Sequence, residues 1–280
     1  MSFSLNRIFT PITAQPFRSN NGYVEILPSK ELKPYIRCFW GSRETSASET
    51  SPTNVIPDIC TDIIINVDLN SNTFSDVYCG INNKPFISHS KGEHNDSFTF
   101  GIRFYAWSAI LFSGESMKES LNDYCKSQNY FGNLISDIKN EIIYSNDIFE
   151  RKEIAERALM KRLNKSKENT VLMNSLYNII SADGNISVKD LSGDCYISKR
   201  QLERFYSEYT GVSPKQMIEL IRYQKLWRNI LRYDFDINEA IEKFGFYDQS
   251  HLLKEFKKYH GENITDAKKA AMEMSHFYNT

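Results

Sequence analysis

The sequence holds no apolar run approaching the roughly 20 residues that a membrane-spanning helix needs, so no membrane partner is predicted. Its first 21 residues are polar, are interrupted by Pro11 and Pro16, and lack the apolar centre of a signal peptide. Cysteine is sparse. Cys38, Cys60, Cys79, Cys125 and Cys195 are odd in number, widely spread and never in a Cys-x-x-Cys pair. That argues against a disulfide framework and a zinc knuckle and predicts a reducing cytoplasm. Net charge is also lacking: it is −1 overall. Residues 1–130 hold 11 Lys and Arg against 13 Asp and Glu, and residues 164–280 hold 17 against 16. Any polyanion must therefore be met by a local patch, not by the field of the whole chain. Phosphate-binding P-loops, Gly-x-Ser-x-Gly elbows, His-Glu-x-x-His motifs and dinucleotide fingerprints are all missing. No catalytic residue and no cofactor is predicted.

What is there suits a folded chain. Hydrophobic residues make up 41% and charged residues 25% of 280 positions, a globular composition with length for two ordinary domains. Up to about Phe112 the pattern is that of strands and turns. Ile63-Ile64-Ile65-Asn66-Val67 is a β-branched run, and Phe98-Thr99-Phe100-Gly101-Ile102-Arg103-Phe104 places an apolar residue at every second position, the period of a half-buried strand. One helix is expected here, over residues 29–40, from the spacing of Leu32, Tyr35, Ile36 and Phe39. From Ser116 onward prolines and glycines thin out and apolar residues recur every three to four positions. That predicts helices over residues 116–126, 133–144, 147–163, 171–182, 188–195, 198–208, 214–233, 237–244 and 248–259, with residues 164–169 as a polar linker.

The last third contains a repeat. Leu202-Glu203-Arg204-Phe205-Tyr206 and Leu252-Leu253-Lys254-Glu255-Phe256 share the order Leu-x-basic-x-aromatic, 50 positions apart. Each follows a short helix and a tight connection, and each is followed at the same offset by a glycine, Gly211 or Gly261. Two short helices on a tight turn, the second with an exposed basic face, make a helix-turn-helix. A single basic amphipathic helix is usually just solvated; duplication of the whole unit about one long helix is what speaks for DNA. The faces away from the apolar stripes carry Lys199, Arg200, Glu203 and Arg204 in the first unit, and Ser250, His251, Lys254 and Lys257 in the second. Arginine can read guanine through two hydrogen bonds, and serine and lysine can meet base edges or phosphates.

These stretches resemble the AraC/XylS family of transcription regulators. The resemblance covers residues 170–270 and is carried by Ser198-Lys199-Arg200-Gln201-Leu202, Thr210-Gly211-Val212-Ser213-Pro214 and Gly245-Phe246-Tyr247-Asp248-Gln249-Ser250-His251-Leu252. It implies two helix-turn-helix units on one linking helix, reading successive major-groove segments of double-stranded DNA. Base reading would fall on Arg200, Glu203 and Arg204 and on Ser250, His251 and Lys254, and RNA polymerase becomes an expected partner. The sequence departs from the family pattern at Tyr196, where the first turn usually has glycine, at Ile264, where proline is usual, and at Ala240-Ile241, where the order is reversed.

The first part resembles a domain of unknown function often joined to such units, through Leu27-Pro28, Tyr35-Ile36, Phe39-Trp40, Pro57-Asp58, Asp62-Ile63-Ile64-Ile65-Asn66 and Gly101-Ile102-Arg103-Phe104. That resemblance implies a cupin-like barrel that holds an effector or mediates dimerisation. Trp40, Phe100, Arg103, Phe104 and Trp107 are the residues that would line an effector pocket, although aromatics on strand alternation are more often packing and Arg103 can equally pair with Asp58 or Asp62. Ile135, Ile138 and Ile142, with Ile143, offer a seam for a homodimer. His89, Glu93 and His94 stand close together in a polar, loop-like stretch, so no metal is expected.

The expected architecture is α+β: a mainly-β cupin-like barrel over residues 1–112, interdomain helices over 113–163, and an all-α domain with two helix-turn-helix units over 170–270. The expected function is effector-responsive, sequence-specific DNA binding. A constitutive dimeric regulator and a metal-dependent cupin enzyme with a DNA-binding tail are the alternatives.

Overall fold

The computed structural model describes residues 5–13, 23–42, 53–88 and 97–273. The alternating segments form the expected strands. β1 (Tyr23–Ile26), β2 (Ile36–Ser42), β4 (Cys60–Asp68), β5 (Thr73–Cys79), β7 (Ser97–Tyr105) and β8 (Tyr124–Cys125) make an antiparallel sheet in the order β1-β2-β7-β4-β5-β8. β3 (Thr53–Val55) and β6 (Phe86–Ser88) pair separately. The mainly-β expectation holds, but among the described strands β1 and β8 remain edges, so backbone hydrogen bonds do not close the sheet into a barrel. β8 carries the sheet past residue 112.

Two helices cover one face of this sheet, α1 (Gln128–Ile143) and α2 (Ile148–Arg162). Period-two alternation sends Ile63, Ile65 and Val67 of β4 and Phe98, Phe100, Ile102 and Phe104 of β7 to that side. There they meet Phe131, Leu134, Ile135, Ile138 and Ile142. The proposed dimer seam is thereby corrected. Ile135, Ile138 and Ile142 are buried against the sheet in the same chain, with exposures of 4%, 0% and 0%, because the apolar stripe of α1 has the β-sheet as its partner.

Two helix expectations fail for identifiable reasons. Residues 29–40 hold two successive hydrogen-bonded turns, with Lys33 N–H donating to Ser29 O and Ile36 N–H to Leu32 O, and then enter β2. The register of β2 against β7 shifts between Ile36 and Cys38. Such a bulge turns the alternation by one residue, so Ile36 and Phe39 are both buried, three apart, and imitate a helical period. Residues 116–123 are held in irregular turns by partners elsewhere, and 124–125 form β8: Met117 N–H bonds to Glu208 O, Asn122 N–H to Ile81 O, and Gly80 N–H to Asp123 O.

The rest is helical: α3 (Thr170–Ser181), α4 (Val188–Asp194), α5 (Lys199–Thr210), α6 (Pro214–Ile230), α7 (Ile237–Phe244), α8 (Gln249–His260) and α9 (Ile264–Glu273). Their core is continuous with the first domain. Leu5, Phe9, Ile56, Ile59, Ile81 and Trp107 belong to the same buried cluster as Leu220, Trp227 and Phe256. A buried amide adds polar precision. The Gln224 side chain on α6 donates to Pro57 O at 2.6 Å and to Ile12 O at 3.1 Å, and accepts from Ile12 N–H at 2.8 Å. None of the described helices is long and apolar enough to cross a membrane.

Candidate nucleic-acid interface

Local capping fixes the two basic helices. Ser198 begins α5 with a reciprocal box: its hydroxyl accepts from Gln201 N–H, and the Gln201 side chain accepts from Ser198 N–H. Asp248 begins α8 by accepting from His251 N–H at 2.7 Å. Both helices end on a glycine in the left-handed region, Gly211 at φ 75° and Gly261 at φ 88°. α6 starts on Ser213 with Pro214 at its first position and runs 17 residues, about 25 Å at 1.5 Å per residue. Its buried face includes Met217, Leu220, Ile221, Leu226 and Trp227, which makes it the axis on which both units pack.

Each basic helix buries a short stripe. Leu202 and Tyr206 are fully buried in α5, with the Tyr206 hydroxyl 2.9 Å from Ser175 Oγ; Leu252, Phe256 and Tyr259 play that part in α8. Phe205 and Tyr209 are only half-buried. All eight sequence-selected residues lie outside these stripes and are exposed: Lys199, Arg200, Glu203, Arg204, Ser250, His251, Lys254 and Lys257. Their burial state suits contact with a groove.

The near-neutral charge of this region resolves into a pattern the sequence did not show. Several acids are spent on cations that hold the helices together. Arg222 of α6 and Glu255 of α8 form a two-pronged pair at 2.8 and 2.7 Å, and the same guanidinium lies 4.9 Å from the Phe246 ring. Glu219 takes Lys258 at 3.0 Å and the Tyr259 hydroxyl at 2.6 Å. Asp183 takes Lys225 at 3.0 Å and Lys243 at 3.4 Å. Among the described residues no carboxylate lies within ion-pair reach of Lys199, Arg200, Arg204, Lys254 or Lys257. These five cations on the basic helices are left with their charges unpaired among the described residues.

The sequence does not announce the Arg222–Glu255 pair, because the two residues are 33 positions apart with no periodicity to link them. α9 was not expected from it either. Asn263 opens that region by accepting from Asp266 N–H at 2.9 Å, and Ala267 and Ala271 bury one face at an i, i+4 spacing.

The first domain presents its far end to both basic helices. A Cβ on Gly211 would lie 2.6 Å from Ser120 Oγ and 2.7 Å from Met117 O, and one on Gly261 would lie 3.3 Å from Pro85 Cγ. Asn54 Nδ2 donates to His260 O at 3.0 Å. The C-terminal ends of α5 and α8 are thus seated on the first domain, while their N-terminal halves face outward.

Of the five effector candidates, four are already occupied. Phe100 and Phe104 are core: Phe100 stacks on Phe39, and Phe104 on Phe131. Trp40 and Arg103 lie on the other face of the sheet and both bond to Asp62, Trp40 Nε1 at 2.7 Å and Arg103 Nε at 2.9 Å; Arg103 also lies 3.8 Å from Glu25. Its charge is met within the protein. Trp107 borders a cleft, and that cleft lies between the domains, not inside the sheet. All five cysteines are free, and burial raises each thiol above its ordinary pKa, the opposite of what a reactive thiolate needs. His89, Glu93 and His94 lie outside the described residues, and among the described ones no group of three or more His, Cys, Asp or Glu could hold a metal.

Residues 191–270 match the family model of a helix-turn-helix domain, and residues 24–126 match that of a domain of unknown function. The chain carries an AraC-type helix-turn-helix domain. No curated protein matches it. Among solved structures it is similar to ToxT from Vibrio cholerae in several forms. One, at 1.65 Å, shares 14% identity over 82% of this chain and 98% of that one, with a TM-score of 0.40. A second shares 11% over 89% and 97%, at 0.41. A third, bound to an unsaturated fatty acid, shares 14% over 90% and 97%, at 0.36. Likeness at this distance carries no argument about ligands.

Proposed function

We propose that this protein is a cytoplasmic, sequence-specific transcription regulator. It reads double-stranded DNA with the outward halves of α5 and α8 and answers to a small molecule through its first domain. One observation carries the reading. Two capped basic helices expose cations without acidic partners, while neighbouring cations are consumed in the pairs that brace the helices. Arg200, Arg204 and Lys254 would read base edges, Lys199 and Lys257 would take phosphates, and Ser250 and His251 would make short polar contacts. Glu203 would accept from a cytosine amino group. Support for a responsive first domain comes from the shared core and from the seats under Gly211 and Gly261: movement of the sheet domain reaches both reading helices through packed atoms. Binding as a homodimer, with RNA polymerase as a further partner, would provide avidity that one weakly charged chain lacks.

A gel-shift titration on a DNA site selected from random sequence tests this. Arg204→Ala and Lys254→Ala are each expected to weaken specific binding by about tenfold or more, the loss of about 1–3 kcal/mol that a base-reading contact brings. Lys257→Ala should weaken all sequences alike and lower the salt slope by about one. Unchanged affinity in both Arg204→Ala and Lys254→Ala would overturn the two-helix reading.

A further inference from the structure

The turn between α4 and α5 holds its backbone in a conformation that its central residue disfavours. Tyr196 sits in the left-handed region at φ 54°, where a Cβ crowds the following carbonyl oxygen. Hydrogen bonds from Tyr196 N–H to Gly193 O at 3.0 Å and from Ile197 N–H to Ser192 O at 3.1 Å fix that geometry. The turn between α7 and α8 meets the same need with a glycine, Gly245 at φ 68°. Among the described residues four other non-glycine positions are left-handed, and each has an offset. Asn72, Asn122 and Asp183 are of types that enter this region readily. Ile59 is 0% exposed, so its packing compensates. Tyr196 is of no tolerant type, and its side chain is 95% exposed. The folded chain alone gives no reason for a tyrosine there, and strain of this kind points to a functional contact.

The neighbours of the turn say what it meets. Tyr196 lies two residues before Ser198, the cap of α5, and just ahead of Lys199 and Arg200, which face outward without a carboxylate partner. The far end of α5 is seated on the first domain under Gly211, so this turn belongs to the projecting end. A helix with its side chains is about 10–12 Å across, and the major groove of DNA is about 12 Å wide. A helix that enters by its N-terminal half fills the groove, and the turn just before it reaches the phosphate edges. Tyrosine hydroxyls are among the groups that bond phosphate oxygens there. Tyr247 holds the matching place in the second unit. It stands one residue before Asp248, the cap of α8, and is 91% exposed.

Resting on the DNA reading above, we propose that Tyr196 anchors the DNA backbone beside α5. Its hydroxyl donates to a phosphate oxygen at the groove edge, and its ring lies along the adjoining deoxyribose. Tyr247 does the same beside α8. Both side chains are neutral, so they hold the duplex in register without displacing counterions and without reading sequence.

The test uses the full chain and two duplexes, one selected from random sequence and one scrambled. Fluorescence anisotropy over a range of salt gives affinity, and thermal melting gives stability. Tyr196→Phe keeps the ring and removes the hydroxyl. It should weaken both duplexes alike, by about fivefold, as expected of one hydrogen bond to a charged acceptor at an exposed site. The salt slope should not change, because no charge is lost. Tyr247→Phe should behave in the same way. Tyr196→Gly removes ring and strain together. It should weaken both duplexes by about tenfold or more, yet raise the melting midpoint by about 1–4 °C. A residue needed only for the fold cannot give that pairing, and a lower midpoint would overturn the proposal. Unchanged affinity in Tyr196→Phe, with Arg204→Ala still weakening the selected site, would overturn the anchor while the DNA reading stands; the same result for Tyr247→Phe would overturn its part beside α8. An effect confined to the selected duplex would also overturn it, since a backbone contact is blind to sequence. If the parent chain binds neither duplex, both fall.

Discussion

Gly184→Ala is expected to destabilise the protein by about 3–4 kcal/mol and to loosen the second reading helix with it. Gly184 closes the turn after α3 at φ 75°, and a Cβ there would lie 2.5 Å from Arg222 Cβ and 2.7 Å from Arg222 Cα and N. The obstacle is the backbone of α6, which cannot swing away. Left-handed backbone costs a non-glycine residue about 1–2 kcal/mol, and a forced methyl group in packed surroundings adds about 1–3 kcal/mol. Against a total stability of about 5–15 kcal/mol the loss is severe. It also reaches the interface, because the Arg222 pushed by the new methyl is the residue that holds Glu255 of α8. Gly193 supplies the control. It lies inside α4, and a Cβ there meets nothing within 4 Å, so Gly193→Ala should be neutral or stabilising by up to about 1 kcal/mol. Urea unfolding of both variants, with DNA affinity measured below the transition, checks the pair. A Gly184→Ala protein as stable as the parent would show that the turn can move off α6.

The helical third was readable in the sequence because its determinants are local. Ser198, Ser213 and Asp248 announce helix starts within three residues of what they cap, and Gly211 and Gly261 announce the ends. α7 spans the predicted residues 237–244, and all eight selected surface residues are exposed. Tyr196, flagged as standing where glycine is usual, does adopt a positive φ, 54°, with its side chain 95% exposed; the turn is kept and the ring is left in solvent. The legible signals end where partners are distant. The bulge in β2 made Ile36 and Phe39 look helical, since a period of three arises equally from a shifted strand. Ile135, Ile138 and Ile142 show a true helical stripe, but a stripe does not say whether a sheet or a second chain covers it. Arg103 misled as an effector candidate for the same reason: nothing near it in sequence reveals that Asp62 and Glu25 reach it. The cleft that does exist is built from residues 35, 107, 168 and 209, which only the folded chain brings together.

The pH dependence of stability should contain two opposed contributions, one in each domain, that single substitutions separate. His260 closes α8 against α6. Its ring stacks on Phe256 at 4.8 Å, its Nδ1 lies 3.0 Å from the Tyr223 hydroxyl, and burial lowers its pKa from 6.5 to about 4. Between these values the unfolded chain binds a proton that the folded one refuses, so acidification through pH 6.5 to 4 removes about 3 kcal/mol, at 1.36 kcal/mol per unit. Asp58 works the other way. Burial is the main cause that raises it from 3.8 to about 6, with Asp62 adding to the rise while Arg103, the Cys60 N–H and Arg37 oppose it. Over pH 6 to 3.8 the folded chain takes up the proton first, so acidification adds stability. That share is smaller, roughly 2 kcal/mol, because the residue keeps a partly open edge to solvent. The parent protein should therefore show only a shallow dependence from these two groups. His260→Phe keeps the ring stack and removes the titration; it lowers stability at pH 7 by removing the His260 contact of the Tyr223 hydroxyl, yet the gap to the parent should close by about 3 kcal/mol on going to pH 4. Asp58→Asn keeps an acceptor for Cys60 N–H, and on acidification over the same interval the parent should gain roughly 2 kcal/mol relative to it. Urea midpoints at half-unit pH steps give both differences. Parallel curves for the parent and the two variants would mean that neither group is held away from its ordinary pKa, and so that solvent reaches both the α6–α8 contact and the foot of the sheet.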